Sequence, residues 1–187
     1  MAKRSGQFKR KARDYYPSPF EVVAPLKAHL APGVRYAELM AGDGAIIRAL
    51  DGHALCVVAT DIEPQAEGIY RLDVGAILPG DIDCTGAEVI ITNPPWPRLG
   101  GKGQPTIGLI QHLSDMRPTW LLLSFDFAAA QYFQEVVGRC VKIVPVGRAS
   151  WEGNGITVKD NAAWFLFDRH HIGTTRIFAR PRAEEYA

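Results

Sequence analysis

Short apolar runs alternate along this chain with turns rich in glycine, proline and acidic residues, and the period of each run predicts its element. Apolar, largely β-branched stretches at 34–40, 54–60, 69–72, 89–92, 119–125, 141–146 and 162–168 read as seven strands. Between them, spacing predicts helices at 45–50, 107–116 and 127–137, the last capped by Ser124 or Asp126. Ahead of the first strand, Ser18-Pro19-Phe20-Glu21 predicts a helix start. Ser18 suits the N-cap, Pro19 the first helical position and Glu21 the reciprocal capping-box position. Val22, Val23, Leu26 and Leu30 then share a face, and Pro32-Gly33 ends the element. Strands alternating with helices predict an α/β fold, a Rossmann-like three-layer αβα sandwich around a mostly parallel seven-stranded sheet.

Composition narrows this to one domain. The chain has 187 residues, 47% hydrophobic and 22% charged, which suits a single well-buried globular unit. No apolar run approaches the roughly 20 residues that span a bilayer, and the basic N-terminus has no apolar segment behind it. No membrane contact is expected. Cys56, Cys84 and Cys140 are scattered and odd in number, which suggests small core residues in a reducing, cytoplasmic setting. Charge is unevenly placed. Lys3, Arg4, Lys9, Arg10, Lys11 and Arg13 leave 15 basic against 20 acidic residues in the rest of the chain. The division expected is a basic, disordered arm at 1–13, a single domain at 14–171 and a tail at 172–187. Such an arm, with Lys9, Arg10 and Lys11, suits a nucleic-acid partner, the plain alternative being a solvated tail.

The candidate chemistry lies at strand ends. Val89-Ile90-Ile91-Thr92 has the pattern of a strand buried on both faces, and it stops on Asn93-Pro94-Pro95-Trp96. The prolines resist helix and force an extended turn. That turn gathers an amide, the Pro94 carbonyl and a flat indole, which together can accept two hydrogen bonds from an exocyclic amine and stack on its ring. Earlier, Glu38-Leu39-Met40-Ala41-Gly42-Asp43-Gly44 joins a strand to a helix. Its glycines either let the backbone approach a ligand or simply make a tight turn. A dinucleotide fingerprint needs a third glycine where Ile47 stands, and Glu38 suits a cationic ligand better than a pyrophosphate. Asp61, ending the second strand, either binds ribose hydroxyls or caps the next turn. Asp73, after the third, either accepts from an adenine amine or is a turn residue. The loop 97–105, with Arg98 and Lys102, is a lid or a surface connection. The stretch 147–161 offers Arg148, Trp151 and Lys159 to a ligand. His170-His171 lacks HxxxH spacing and any neighbouring cysteine or carboxylate cluster, so no metal is expected.

The glycine turn, Asp61 and Asn93-Pro94-Pro95-Trp96 follow strands one, two and four, and so converge on the carboxyl edge of the sheet. Their order, after Tyr15-Tyr16-Pro17-Ser18-Pro19-Phe20, resembles that of the amino-group N6-adenine DNA methyltransferases, most closely small phage or prophage members. The resemblance covers roughly residues 14 to 168. It implies a class I methyltransferase fold and S-adenosylmethionine as cofactor. On that resemblance Ser18, Pro19, Glu38, Met40, Ala41, Gly42 and Gly44 would hold the methionine end, with Tyr16 and Asn93 also binding the cofactor. Asp61 would hold the ribose, Ile62 would pack on the adenine, and Asp73 would reach its amine. Asn93 and Pro94 would hold the target amine, with Pro95 shaping the turn and Trp96 stacking on the base. Family members that read a sequence carry a separate recognition domain, for which this chain has no room. Low specificity, single-stranded or RNA substrates, and a homodimer that shares recognition are the options. An RNA-adenine or glutamine-amide methyltransferase, or a silent cofactor- or nucleic-acid-binding module, are the alternative functions. Glutamine enzymes follow Asn-Pro-Pro with Tyr, so Trp96 favours a base.

Overall fold

The computed structural model describes residues 16–96, 104–151, 157 and 160–180. Lys9, Arg10, Lys11, Arg98, Lys102 and Lys159 lie outside them. The apolar runs become the strands β1 Arg35–Glu38, β2 Leu55–Asp61, β3 Tyr70–Arg71, β4 Val89–Thr92, β5 Thr119–Ser124, β6 Cys140–Gly147 and β7 Ala162–Phe167. An eighth, β8 Arg176–Ile177, lies in the segment expected to be a tail and pairs in parallel with β6. The sheet therefore has eight strands, in the order β3-β2-β1-β4-β5-β7-β6-β8, rather than the expected seven. It is parallel from β3 to β5, and β7 runs antiparallel to both β5 and β6.

Successive side chains point to opposite faces of a strand, which sorts the core into two layers. Tyr36, Ile91, Trp120, Leu122, Val144 and Trp164 belong to the layer that contains α1 Phe20–Val23 and α2 Ala45–Leu50. Ala37, Leu39, Ile90, Leu121, Phe165 and Phe167 belong to the layer of α3 Pro79–Thr85 and α4 Gln104–Met116. The sandwich is as expected, although α3 is an element the apolar pattern does not announce, since Ile82 is its one buried residue.

Two helical expectations change. Pro19, not Ser18, occupies the N-cap of α1, and its carbonyl accepts from Val22 and Val23 N–H at 3.0 and 3.3 Å. After Val23 the chain tightens into a 3₁₀ turn, Ala24–His29, where Pro25 has no N–H to continue the α pattern. The helix expected at 127–137 is instead three short 3₁₀ turns, Phe125–Ala129, Gln131–Glu135 and Val137–Arg139, interrupted by extended Ala130. Neither Ser124 nor Asp126 caps an α-helix there. Residues six apart on an α-helix would lie about 120° apart, whereas the broken path lets Phe127 and Phe133 both meet Phe165, with centroids at 5.7 and 6.3 Å.

The crossover from β2 to β3, residues 62–69, contains no helix. A cleft opens there beside α2, lined by Arg48, Cys56, Val58, Glu67, Ile69 and Tyr70 among others. Among the described residues no helix is long and apolar enough to cross a membrane.

Candidate active site

β1 delivers Glu38 into the interior, where it is 1% exposed. Its Oε2 is buried without a hydrogen-bond partner. Burial raises its pKa well above the usual carboxylate range, Asp43 and Asp61 push it the same way, and Arg48 opposes them. Asp43 and Asp61 thus bring negative potential to the site, and one oxygen of the buried Glu38 carboxyl has no hydrogen-bond partner.

The turn after β1 is set by Gly42 and Gly44, at φ 56° and 78°, a left-handed backbone that favours glycine. Three N–H groups in and beside it are used internally. Gly42 N–H donates to Asp61 Oδ2 at 2.8 Å, Gly44 N–H to the Ala41 carbonyl at 2.7 Å and Ala45 N–H to Asp43 Oδ1 at 3.0 Å. Arg48 closes the turn from outside by pairing with Asp43 at 2.9 Å. A phosphate-binding loop keeps such groups free for an anion; this turn offers a ligand its shape instead.

Asp61 at the tip of β2 is committed at both oxygens, since Oδ1 accepts from Glu63 N–H at 2.7 Å. It caps the following turn, as one expectation had it, and also braces the glycine turn across from it. Ile62 beyond it is 51% exposed. Asp73 accepts from Gly75 N–H at 2.9 Å and caps the 3₁₀ turn Val74–Ala76, which fits its turn reading.

At the tip of β4 the Asn93 Nδ2 donates to Ser18 Oγ at 3.1 Å, while Asn93 Oδ1 is buried with no partner. Ser18 is 7% exposed. Pro94 is buried and Pro95 exposed, so the turn stands with one proline packed and the other outward. Trp96 Nε1–H donates to the Leu122 carbonyl at 3.0 Å. Its ring meets Trp151 edge to face, with centroids 5.4 Å apart and planes at 82°. Trp96 and Trp151 therefore form a pair fixed against β5, and Arg148 lies exposed just past β6. Met40, Ala41 and Gly42 line the β1 side, with Met40 half-buried and the other two buried. Tyr16 and Pro19 are half-buried at either side of Ser18.

The structure thus gathers the glycine turn, Glu38, Asp61, Ile62 and the Asn93 turn at one sheet edge. Two contacts escaped the sequence: Ser18 with Asn93, and Trp96 with Leu122. Only the residue types hinted at them, as a short hydroxyl and an indole N–H each need partners when buried.

The fold has counterparts among solved structures. The chain aligns with a protein from Pyrococcus horikoshii assigned as an RNA methyltransferase, at TM-score 0.55 and 15% identity, covering 86% of this chain and 90% of that one. It aligns with the 23S rRNA methyltransferase ErmE at TM-score 0.53 and 14% identity, covering 84% and 71%. A type I restriction-modification methyltransferase subunit from Streptococcus thermophilus matches at TM-score 0.50 and 11% identity, covering 84% of this chain. The fold is that of a Rossmann-like methyltransferase. The chain spans 44% of the length of the restriction-modification subunit and 62% of a matched dimethyladenosine transferase from Plasmodium falciparum. No protein-family model matches the chain, and no curated protein matches it in sequence. Among the described residues no group of three or more His, Cys, Asp or Glu side chains could hold a metal.

Proposed function

We propose that the protein transfers a methyl group from S-adenosylmethionine to the exocyclic N6 amine of adenine in nucleic acid, with DNA as the favoured substrate. The observation that carries this is the Asn93 amide at the tip of β4, tethered at its nitrogen and left with a buried, unpartnered oxygen. A buried acceptor without a partner is costly unless a ligand completes it.

The cofactor fits the neighbouring strand tips. Glu38 Oε2 is a buried acceptor without a partner, and Asp43 and Asp61 lie near enough to raise its pKa. A cation therefore suits this pocket better than an anion. Glu38, Met40, Ala41 and Gly42 would hold the methionine end, with Gly44 allowing close approach and Ile62 packing on the adenine. When bound, the cofactor supplies an electrophilic methyl on a positively charged sulfur. Asp61 would reach ribose hydroxyls through lone pairs beyond its two backbone bonds, and Asp73 would meet the adenine amine in the same way.

An exocyclic amine is a weak nucleophile because its lone pair is delocalised into the ring. Asn93 Oδ1 and the Pro94 carbonyl would accept its two N–H bonds, favouring a tetrahedral nitrogen and stabilising the positive charge that develops there. Pro95 keeps the turn extended, and the Trp96 face would stack on the base after it leaves the helix. Trp151 supports Trp96 from the side. Arg148 and the basic segments Lys9-Arg10-Lys11, Arg98, Lys102 and Lys159 would meet phosphates.

The test is transfer of labelled methyl to double-stranded DNA, single-stranded DNA, RNA and protein, with the methylated nucleoside identified. N6-methyladenine in DNA is the expected product. Asn93→Ala should cut the rate by roughly 10²–10³, the usual cost of losing one such group, without lowering the thermal midpoint. Full activity in that variant, or transfer to no nucleic acid at all, overturns the reading.

A further inference from the structure

A carboxylate at the tip of β4 would offer an acceptor whichever way it turned. An amide does not, because its two ends have nearly the same size and opposite hydrogen-bonding character. In the structure a serine hydroxyl, able to donate as well as accept, takes the acceptor role and meets the nitrogen end. Ser18 Oγ accepts from Asn93 Nδ2 at 3.1 Å, which leaves Oδ1 as the uncommitted end.

Ser18 is well mounted for this. It is buried, 75 residues from Asn93 in sequence, and is not used as a helix cap. The next residue, Pro19, carries the first turn of α1 through its carbonyl. That turn is fastened to the sheet by the Trp164 indole N–H, which donates to the Val22 carbonyl at 2.8 Å. The hydroxyl therefore stands on a framework that reaches from α1 to β7.

We propose that Ser18 is a positioning residue that holds the Asn93 amide with its oxygen toward the target amine. This deepens the function proposed above and rests on it. A reversed amide would set its NH2 against the NH2 of the substrate, donor against donor, and the nucleophile would lose one of its two acceptors. Ser18 then acts on the transfer step through Asn93 and not through the cofactor.

The experiment uses the full chain and two independent readouts. The first is solvent exchange of the Asn93 side-chain NH2, followed by nitrogen-15 NMR and assigned by its loss in Asn93→Asp. Slow exchange is expected in the wild type, with an acceleration of about tenfold in Ser18→Ala, the scale of one lost hydrogen bond. Unchanged exchange means that Ser18 does not hold the amide nitrogen, and overturns the proposal. The second is a kinetic cycle. Ser18→Ala should lower kcat by roughly 10–100-fold, as expected of a misplaced reacting group, with S-adenosylmethionine affinity changed less than about twofold by calorimetry. In the Asn93→Asp background the same substitution should cost less than about threefold, since a carboxylate needs no choice of end. An equal loss in both backgrounds, or a loss of cofactor affinity as large as the loss of kcat, overturns the proposal and returns Ser18 to the cofactor. If Asn93→Asp is itself inactive, the exchange measurement decides. A wild type that methylates nothing, with the amide still protected, refutes the enzyme reading while leaving the tether in place.

Discussion

The tips of β2 and β4 end on residues of the same length and geometry, one an acid and one its amide, yet the structure uses them in opposite ways. Asp61 spends both oxygens on backbone N–H groups, at Gly42 and Glu63. Asn93 spends its nitrogen on Ser18 and leaves its oxygen without a partner. The first is a brace that shapes the glycine turn before any ligand arrives. The second is an incomplete site. A strand tip that is fully satisfied contributes geometry, whereas one that is half satisfied is where chemistry is to be sought.

Removing the brace should have the largest effect on stability. Asp61→Ala strands two backbone donors, each in a bond to a charged group worth about 1.5–3 kcal/mol net. Asp61 is half-exposed, so water recovers part of that, and the expected loss is about 2–4 kcal/mol by urea unfolding. Asp61→Asn keeps one acceptor and turns an NH2 toward the other donor, so its loss should be smaller than that of Asp61→Ala but clearly measurable. If Asp61→Ala proves neutral, the two tips do not differ in the way described, and Asp61 belongs wholly to the ligand.

The two tips were also unequally legible in the sequence. The strand Val89–Thr92 formed where its apolar run placed it, and so did α2, Ala45–Leu50, after the glycine turn. Runs buried on both faces announce themselves, because hydrophobicity is a local property of the chain. The Asn93 turn was legible for a similar reason, since its prolines dictate their own backbone. Ser18 was not. Its neighbours Pro19 and Glu21 made a convincing helix start, and nothing local told of an amide 75 residues away. Local signal also misled at 127–137, where the need of Phe127 and Phe133 to reach Phe165 overrode helical propensity. α3 and β8 stayed hidden because each is short and buries almost nothing. Position along the chain predicts the frame; partners across the sheet decide what each polar residue does.

Glu38 lies between the two tips and offers the next test. Burial, chiefly, holds its folded pKa well above the ordinary value of 4.5. A carboxyl raised in the folded state favours folding fully below 4.5 and loses that contribution as pH climbs through the folded value. Glu38→Gln cannot ionise. The variant should therefore melt at a higher temperature than the wild type at pH 8, and the gap should close as the pH falls toward 4. Scanning both proteins across that range by calorimetry checks the sign. A gap that widens toward acid would mean that Glu38 is ionised and paired in the folded chain. It would then resemble Asp61 rather than Asn93.

The smallest effect should come from Trp96, which distinguishes support from contact at the β4 tip. Its indole N–H is bonded to the Leu122 carbonyl, and its ring abuts Trp151. Trp96→Phe keeps an aromatic face and loses the donor, which should cost about 1 kcal/mol by urea unfolding. Trp151→Phe keeps the edge-to-face contact and should cost less. If the Leu122 bond serves to hold the plane of the ring for a stacked base, Trp96→Phe should raise KM for nucleic acid more than it lowers kcat, because a loosened ring stacks less often but leaves the Asn93 acceptor in place. A fall in kcat at constant KM would instead tie the indole to Asn93, and the two halves of the β4 tip would then act as one unit.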